Sequence, residues 1–172
     1  KSYSFKKTEK IGDNSVQICI NYLKSLNKTI EVKDVQNDSF FRDKDIDVVW
    51  VYNNNNQSKE IWIEVKGDRL FSTGNYFLET ISNKTKQTPG CFLYTESHYF
   101  FYYFIDSKEL HIMETKPIRE WFLNNIDQFP EKETSTPVGN GEYYITVGRL
   151  VKRETILNKF PRKTRVVKLR EI

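Results

Sequence analysis

Ile46-Asp47-Val48-Val49-Trp50-Val51 is followed, across the polar stretch Asn53-Asn54-Asn55-Asn56-Gln57-Ser58-Lys59, by Ile61-Trp62-Ile63-Glu64-Val65-Lys66. Both runs are rich in β-branched and aromatic residues, and the pair reads as a hairpin. Side chains of a strand alternate between faces, so Glu64 and Lys66 project from one face while Ile61, Ile63 and Val65 fill the other. Asp47, at the start of the partner strand, comes within their reach. Charges gathered on a mostly apolar sheet are costly unless they pair or hold an ion. Two adjacent carboxylates form a hard oxygen site of the kind Mg²⁺ takes, and a lysine beside them can hold or deprotonate a water.

The chain of 172 residues is long enough for one domain with a substantial core. Aromatics at 15%, with few Gly and Pro, mark a folded chain rather than a disordered one. No apolar run is long enough to cross a bilayer, and no signal-peptide pattern opens the sequence, so a cytoplasmic protein without membrane attachment is expected. Cys19 and Cys91 lie in apolar contexts and read as free buried thiols. With His98 and His111 they give no zinc-finger spacing.

Net charge is +4, but it is unevenly spread. From Arg149 to Ile172 there are nine Lys or Arg against two Glu, a local +7 that leaves −3 for the remainder. Such a segment suits a polyanionic partner, because each phosphate contact releases counterions. Lys152, Arg153, Lys159, Arg162, Lys163, Arg165, Lys168 and Arg170 are the candidate contacts.

Val16, Cys19, Ile20, Leu23 and Leu26 recur at helical spacing, and Asp13, Asn14 or Ser15 can cap a helix that starts there. Strands are expected over Thr29–Val35, Tyr76–Ile81, Phe100–Ile105, Leu110–Met113, Tyr143–Val151 and Arg165–Leu169. Lys116–Ile126 reads as a helix with Pro117 in its first turn. Glu131–Gly141, polar and containing Pro and Gly, reads as a mobile loop. The whole chain, 1–172, is expected as one domain, with 131–172 a C-terminal extension carrying the basic segment.

Asp47, followed by Glu64-x-Lys66 on the next strand, resembles the PD-(D/E)XK nuclease superfamily. Helix, strand, hairpin and mixed elements follow one another over about residues 11–126 in the order of that family's core. The resemblance implies an α/β fold, a restriction-endonuclease-like mixed β-sheet flanked by helices. It implies Mg²⁺, with Mn²⁺ tolerated, held by Asp47, Glu64 and the main-chain carbonyl of Val65. Lys66 would then orient the attacking water or stabilise the pentavalent phosphorus. The implied activity is hydrolysis of DNA phosphodiesters leaving a 5′-phosphate, by a restriction, homing or phage-type endonuclease.

Asp45 is a rival to Asp47, which is preferred because it directly abuts the apolar run. Many members of the family carry a Glu on the first helix. This chain offers Gln17, which can position a water but adds no charge. Thr73-Gly74-Asn75-x-x-x-Glu79, with Pro89-Gly90 further on, is similar to an element of a phage- and mobile-element-associated branch, and it implies that Glu79 supports the lysine or the metal shell. Tyr94, Tyr99, Tyr102 and Tyr103 can be read as a stacking platform for bases, but packing of a core strand explains them better. A junction resolvase, an RNA-processing nuclease, or a non-catalytic DNA-binding protein on a decayed nuclease fold would share much of this pattern. Compact nucleases that cut both strands usually pair, so a homodimer or higher homo-oligomer on DNA is expected.

Overall fold

The hairpin forms with longer arms than expected. Its strands, Val48–Asn54 and Gln57–Asp68, run up to a two-residue turn at Asn55 and Asn56, both left-handed with φ 51° and 65°. Asn tolerates that conformation, and a turn of this hand matches the twist of paired strands. The Asn56 amide also donates to Asn53 Oδ1 at 2.9 Å.

The structure, a computed structural model, describes residues 5–169, with side chains from Asn14 onward. In chain order the elements are α1 (Phe5–Lys24), β1 (Thr29–Asp34), α2 (Ser39–Arg42), β2 (Val48–Asn54), β3 (Gln57–Asp68), β4 (Asn75–Asn83) and β5 (Thr88–Pro89). There follow α3 (Cys91–Tyr94), β6 (Tyr99–Phe104), β7 (Glu109–Glu114), α4 (Thr115–Asn124), β8 (Glu131–Gly139), β9 (Glu142–Lys152), α5 (Arg153–Lys159) and β10 (Thr164–Lys168). Short 3₁₀ turns occupy Phe71–Thr73 and Ile126–Gln128. The fold is mixed α/β. A six-stranded sheet has the order β1-β2-β3-β6-β7-β10, and a four-stranded antiparallel sheet has the order β5-β4-β9-β8. β3 pairs antiparallel with β2 and parallel with β6.

The large sheet is covered on both faces. Ile63, Phe101, Tyr103 and Leu110 pack with Val16, Cys19, Ile20 and Leu23 of α1. Phe100, Tyr102 and Phe104 face the other way, onto Tyr76 and Leu78 of β4, Phe92, Ile118, Phe122, Val151 and Ile156. Tyr102 and Tyr103 are thus core residues, as expected of packing rather than of a stacking platform. Glu64 and Lys66 belong to the second face, beside Phe100 and Tyr102 of β6. A pair of opposite charges therefore enters a wall of aromatic rings.

Three elements depart from the sequence reading. α1 begins at Phe5 rather than near Ser15, and Ser15 is fully buried within it instead of capping it. Gly12 costs the helix about 1 kcal/mol relative to Ala without stopping it. Glu131–Gly139 is not a mobile loop but β8, paired to β9 from Glu131↔Arg149 to Gly139↔Glu142. It is an edge strand, where Pro is tolerated. Most of its residues are exposed, so the alternation that marks a half-buried strand is missing. Finally, residues 131–168 are woven into both sheets, β9 against β4 and β10 against β7. The basic stretch therefore lies on α5 and β10; Arg170 lies outside the described residues. Among the described residues no helix is long and apolar enough to cross a membrane.

His111 of β7 is buried inside this frame. Its Nδ1 lies 2.6 Å from the Tyr76 hydroxyl and its Nε2 lies 3.1 Å from Glu109 Oε2. A carboxylate only accepts, so the proton sits on Nε2 and Nδ1 accepts from Tyr76. Burial pushes its pKa below the usual 6.5, against the opposing pull of Glu109. The unfolded chain then takes up this proton more readily than the folded one. Its contribution to stability is full above pH 6.5 and is lost as pH falls through the depressed folded value. Melting temperature should accordingly fall more steeply below pH 6.5 in the parent than in His111→Gln, which keeps an acceptor for Tyr76. Parallel slopes would contradict the assignment.

Candidate functional site

The β2–β3 ladder ends at Val48↔Ile63. One residue further, the Asp47 amide donates to the Ile63 carbonyl at 3.0 Å, and Asp47 Oδ2 accepts from the Val65 amide at 2.9 Å. A ladder amide of β3 is thereby satisfied by a side chain, and this holds the Asp47 carboxylate at the point where the two strands part. β3 continues beside β6 and carries Glu64 and Lys66 inward. Glu64 is only 7% exposed, and its Oε2 has no hydrogen-bond partner among the described residues. Burial raises its pKa well above the carboxylate range. The charges of Asp47 and Asp45 and a hydrogen bond with Asp47 add to this, and Lys66 opposes it.

The charges of Asp45 and Asp47 both act on Glu64. Asp45 sits in the left-handed region at φ 56°, which Asp tolerates better than most residues. It is anchored from both sides: Ile46 is buried beside Val35 and Val49, and the Asp45 carbonyl accepts from Thr95 Oγ1 at 2.7 Å. Its Oδ2, too, is buried without a hydrogen-bond partner among the described residues. Burial, then the charges of Asp47 and Glu79, push the Asp45 carboxyl up to about 7.

Lys66 forms an ion pair with Glu79 of β4. Glu79 thus reaches the lysine from the second sheet. Burial works against the ammonium, but Glu79, Cys91 and Asp68 together outweigh it and hold the lysine's pKa above its ordinary value. Lys66 is therefore a fixed positive charge and not a base in this arrangement. The charges of Glu79 and Asp68 act on Lys66, and Lys66 in turn acts on Asp45 and Glu64.

Sequence reasoning missed Cys91. Its Sγ and one oxygen each from Asp45 and Glu64 lie within 4.8 Å of one another. Gly90 makes this possible, because a Cβ there would overlap the backbone of Glu79 and Thr80. The Gly90 amide donates to the Thr80 carbonyl at 3.0 Å, so the start of α3 lies directly on β4. Pro89-Gly90 was legible as punctuation; that it presses Cys91 toward the carboxylates was not. The cysteines are free, and Cys19, on the buried face of α1, has its pKa raised by burial and by the charge of Asp47.

Other candidates lie elsewhere. Gln17 is exposed on α1, its amide donating to Asn21 Oδ1 at 3.0 Å, and the structure does not bring it to the cluster. The buried face of α1 runs through Val16, Cys19, Ile20 and Leu23 instead. Val65 contributes its main-chain amide to Asp47. Arg153 is committed to packing: its guanidinium lies 3.9 Å from the Phe71 ring centroid and donates to the Phe71 carbonyl at 2.6 Å. Lys163 pairs with Glu114 at 3.0 Å. Lys152, Lys159, Arg162, Arg165 and Lys168 are exposed. Arg162, Lys163 and Arg165 border a groove of about 280 Å³ with Lys28, Trp50 and Tyr99. That groove lies on the face of Ile63 and Phe101, opposite Glu64 and Lys66.

Carboxylates crowded together in a buried site cost stability. Asp45→Asn and Glu64→Gln should each raise the melting temperature of the metal-free protein at pH 8. For Asp45, displacement of the carboxyl from 3.8 to about 7 corresponds to a few kcal/mol at most, less what solvent screening removes. Thermal denaturation in EDTA reads this directly. A drop in melting temperature for both variants would show that the carboxylates stabilise the fold instead.

No protein-family model matches the chain, and neither a curated protein nor a solved structure matches it significantly.

Proposed function

We propose that this protein is a metal-dependent DNA endonuclease whose catalytic groups are Asp47, Glu64 and Lys66, on a restriction-endonuclease-like core. The observation that carries the reading is Glu64. It is a carboxylate 7% exposed, hydrogen-bonded with Asp47, with one oxygen unpartnered among the described residues and with the charges of Asp47 and Asp45 acting against its ionised form. Buried charge of one sign is stable when a cation joins it. The residues thus fit a divalent ion such as Mg²⁺ or Mn²⁺, held by Asp47 and Glu64 with the Val65 carbonyl nearby. When bound, such an ion offsets phosphate charge and acidifies water.

The chain's own groups then divide the work. The Val65 amide fixes the Asp47 carboxylate, so that its orientation does not depend on the ion. Glu79 keeps Lys66 protonated, and the ammonium stabilises negative charge developing on the phosphoryl oxygens. Lys66 therefore acts as an electrostatic stabiliser and not as the base that deprotonates water. The exposed Arg162 and Arg165 border the groove on the opposite face of the sheet. In this reading they contact DNA backbone away from the scissile phosphate, and a second protomer serves the second strand.

Supercoiled and linear DNA should be cut with Mg²⁺ or Mn²⁺ and left intact with EDTA. Asp47→Ala, Glu64→Ala and Lys66→Ala should each abolish cutting, with Lys66→Ala still binding DNA. Glu79→Gln should slow cutting and leave binding unchanged. Parent-like cutting by all three alanine variants would overturn the assignment.

Replacing Arg162 and Arg165 with Gln should flatten the slope of log affinity against log salt by roughly one unit each, on any DNA sequence. An unchanged slope removes these residues from the interface. Sedimentation should show a dimer on DNA; a strict monomer that nicks one strand would oppose the pairing.

A further inference from the structure

We propose that Cys91 is a metal ligand. Together with Asp45 and Glu64 it forms a mixed thiolate–carboxylate site that takes a borderline divalent ion, Zn²⁺ or the chemically kindred Co²⁺, in preference to Mg²⁺. The inference rests on reading this pocket as a metal centre, and it goes beyond that reading in naming the ligand set and the class of ion. Three observations carry it. The donor atoms of Asp45, Glu64 and Cys91 lie within 4.8 Å of one another, from three separate parts of the chain. Two of these groups, Glu64 at Oε2 and Asp45 at Oδ2, are buried there without a hydrogen-bond partner among the described residues, and Glu64 is more than nine-tenths buried. The third group is held in place by Gly90, whose missing side chain is what lets α3 rest on the Glu79 backbone.

The geometry suits a small tetrahedral ion. Bonds of about 2.0–2.3 Å to oxygen and sulfur place ligand atoms under about 4 Å apart, so a contraction of about 1 Å closes the triangle and leaves a fourth position open. Thiolate donors favour Zn²⁺ and its neighbours, whereas Mg²⁺ takes oxygen alone. Asp47, hydrogen-bonded with Glu64, stands beside the triangle as a carboxylate for a second ion or for a bound water. The sulfur is the departure from the all-oxygen set that the sequence motif implied. On binding, the thiol loses its proton to solvent, and a sulfur–metal bond forms with no change of oxidation state.

The test is a Co²⁺ titration of the metal-free full chain, followed by absorption. A thiolate-to-cobalt charge-transfer band in the near ultraviolet is expected in the parent. It should vanish in Cys91→Ser and persist in Cys19→Ser. Co²⁺ affinity should fall at least about tenfold in Cys91→Ser, while Mg²⁺-dependent DNA cleavage, measured in parallel, should be less affected than by Asp47→Ala.

A second readout needs no variant. Zn²⁺ should protect Cys91 of the parent from alkylation, read by peptide mass, and Mg²⁺ at equal occupancy should protect it less. Co²⁺ binding without the band, or a band that survives Cys91→Ser, overturns the inference. Absence of any Co²⁺ or Zn²⁺ binding beside intact Mg²⁺-dependent cleavage also overturns it, leaving the nuclease reading in place. Absence of both metal binding and cleavage removes the two together.

Discussion

The architecture around Glu64 is arranged to keep a carboxylate where water cannot solvate it. Its neighbours on β6 are Phe100 and Tyr102, and both are essentially fully buried. Its neighbours in space include two further carboxylates, so burial and charge both act against its ionised form. A purely structural solution to this position would be an apolar side chain. A buried ion pair is often no better than well-packed hydrophobic residues, and unmatched charge is worse. The expense is tolerable when a cation completes the cluster, which makes stability and metal occupancy two readings of one equilibrium.

Each surrounding element has a part in that arrangement. The β2–β3 ladder ends at Val48, one residue short of Asp47, and the Val65 amide that is thereby freed orders the Asp47 carboxylate. The left-handed Asp45 and the buried Ile46 bring a second aspartate to the same point. The small antiparallel sheet, through Glu79, supplies the counter-charge that keeps Lys66 cationic. Gly90 lets α3 settle against β4 closely enough to add a thiol. The cluster thus depends on contacts between the two sheets as much as on the hairpin that carries its central residues.

Much of this was legible in the sequence where one face of an element is buried and the other is not. The α1 face through Val16, Cys19, Ile20 and Leu23 and the core face of β3 show that periodicity directly. Asp47, Glu64 and Lys66 could be grouped because strand alternation and a hairpin turn suffice to bring them together. What escaped was set by other physics. β8 has few buried side chains and is held by main-chain pairing to β9, so its polar composition disguised it. α5 is short and follows β9 without a capping side chain. Gln17 was drawn in by analogy of position, but helical geometry turns it outward, away from Val16 and Cys19. Arg153 reads as a free cation in the sequence and is spent on the rings of Phe71 and Phe104. Cys91 had no motif of its own; only the close approach permitted by Gly90 gives it a role.

We propose a divalent ion in the carboxylate cluster. Anomalous diffraction from crystals soaked in Mn²⁺, recorded on both sides of the manganese edge, tests it most directly. The account predicts a strong anomalous peak at bonding distance from Glu64 Oε2, shared with Asp47 or Asp45 and absent from crystals of Glu64→Gln. A fully soaked crystal with no peak within reach of Glu64, or with the same peak in Glu64→Gln, would contradict it.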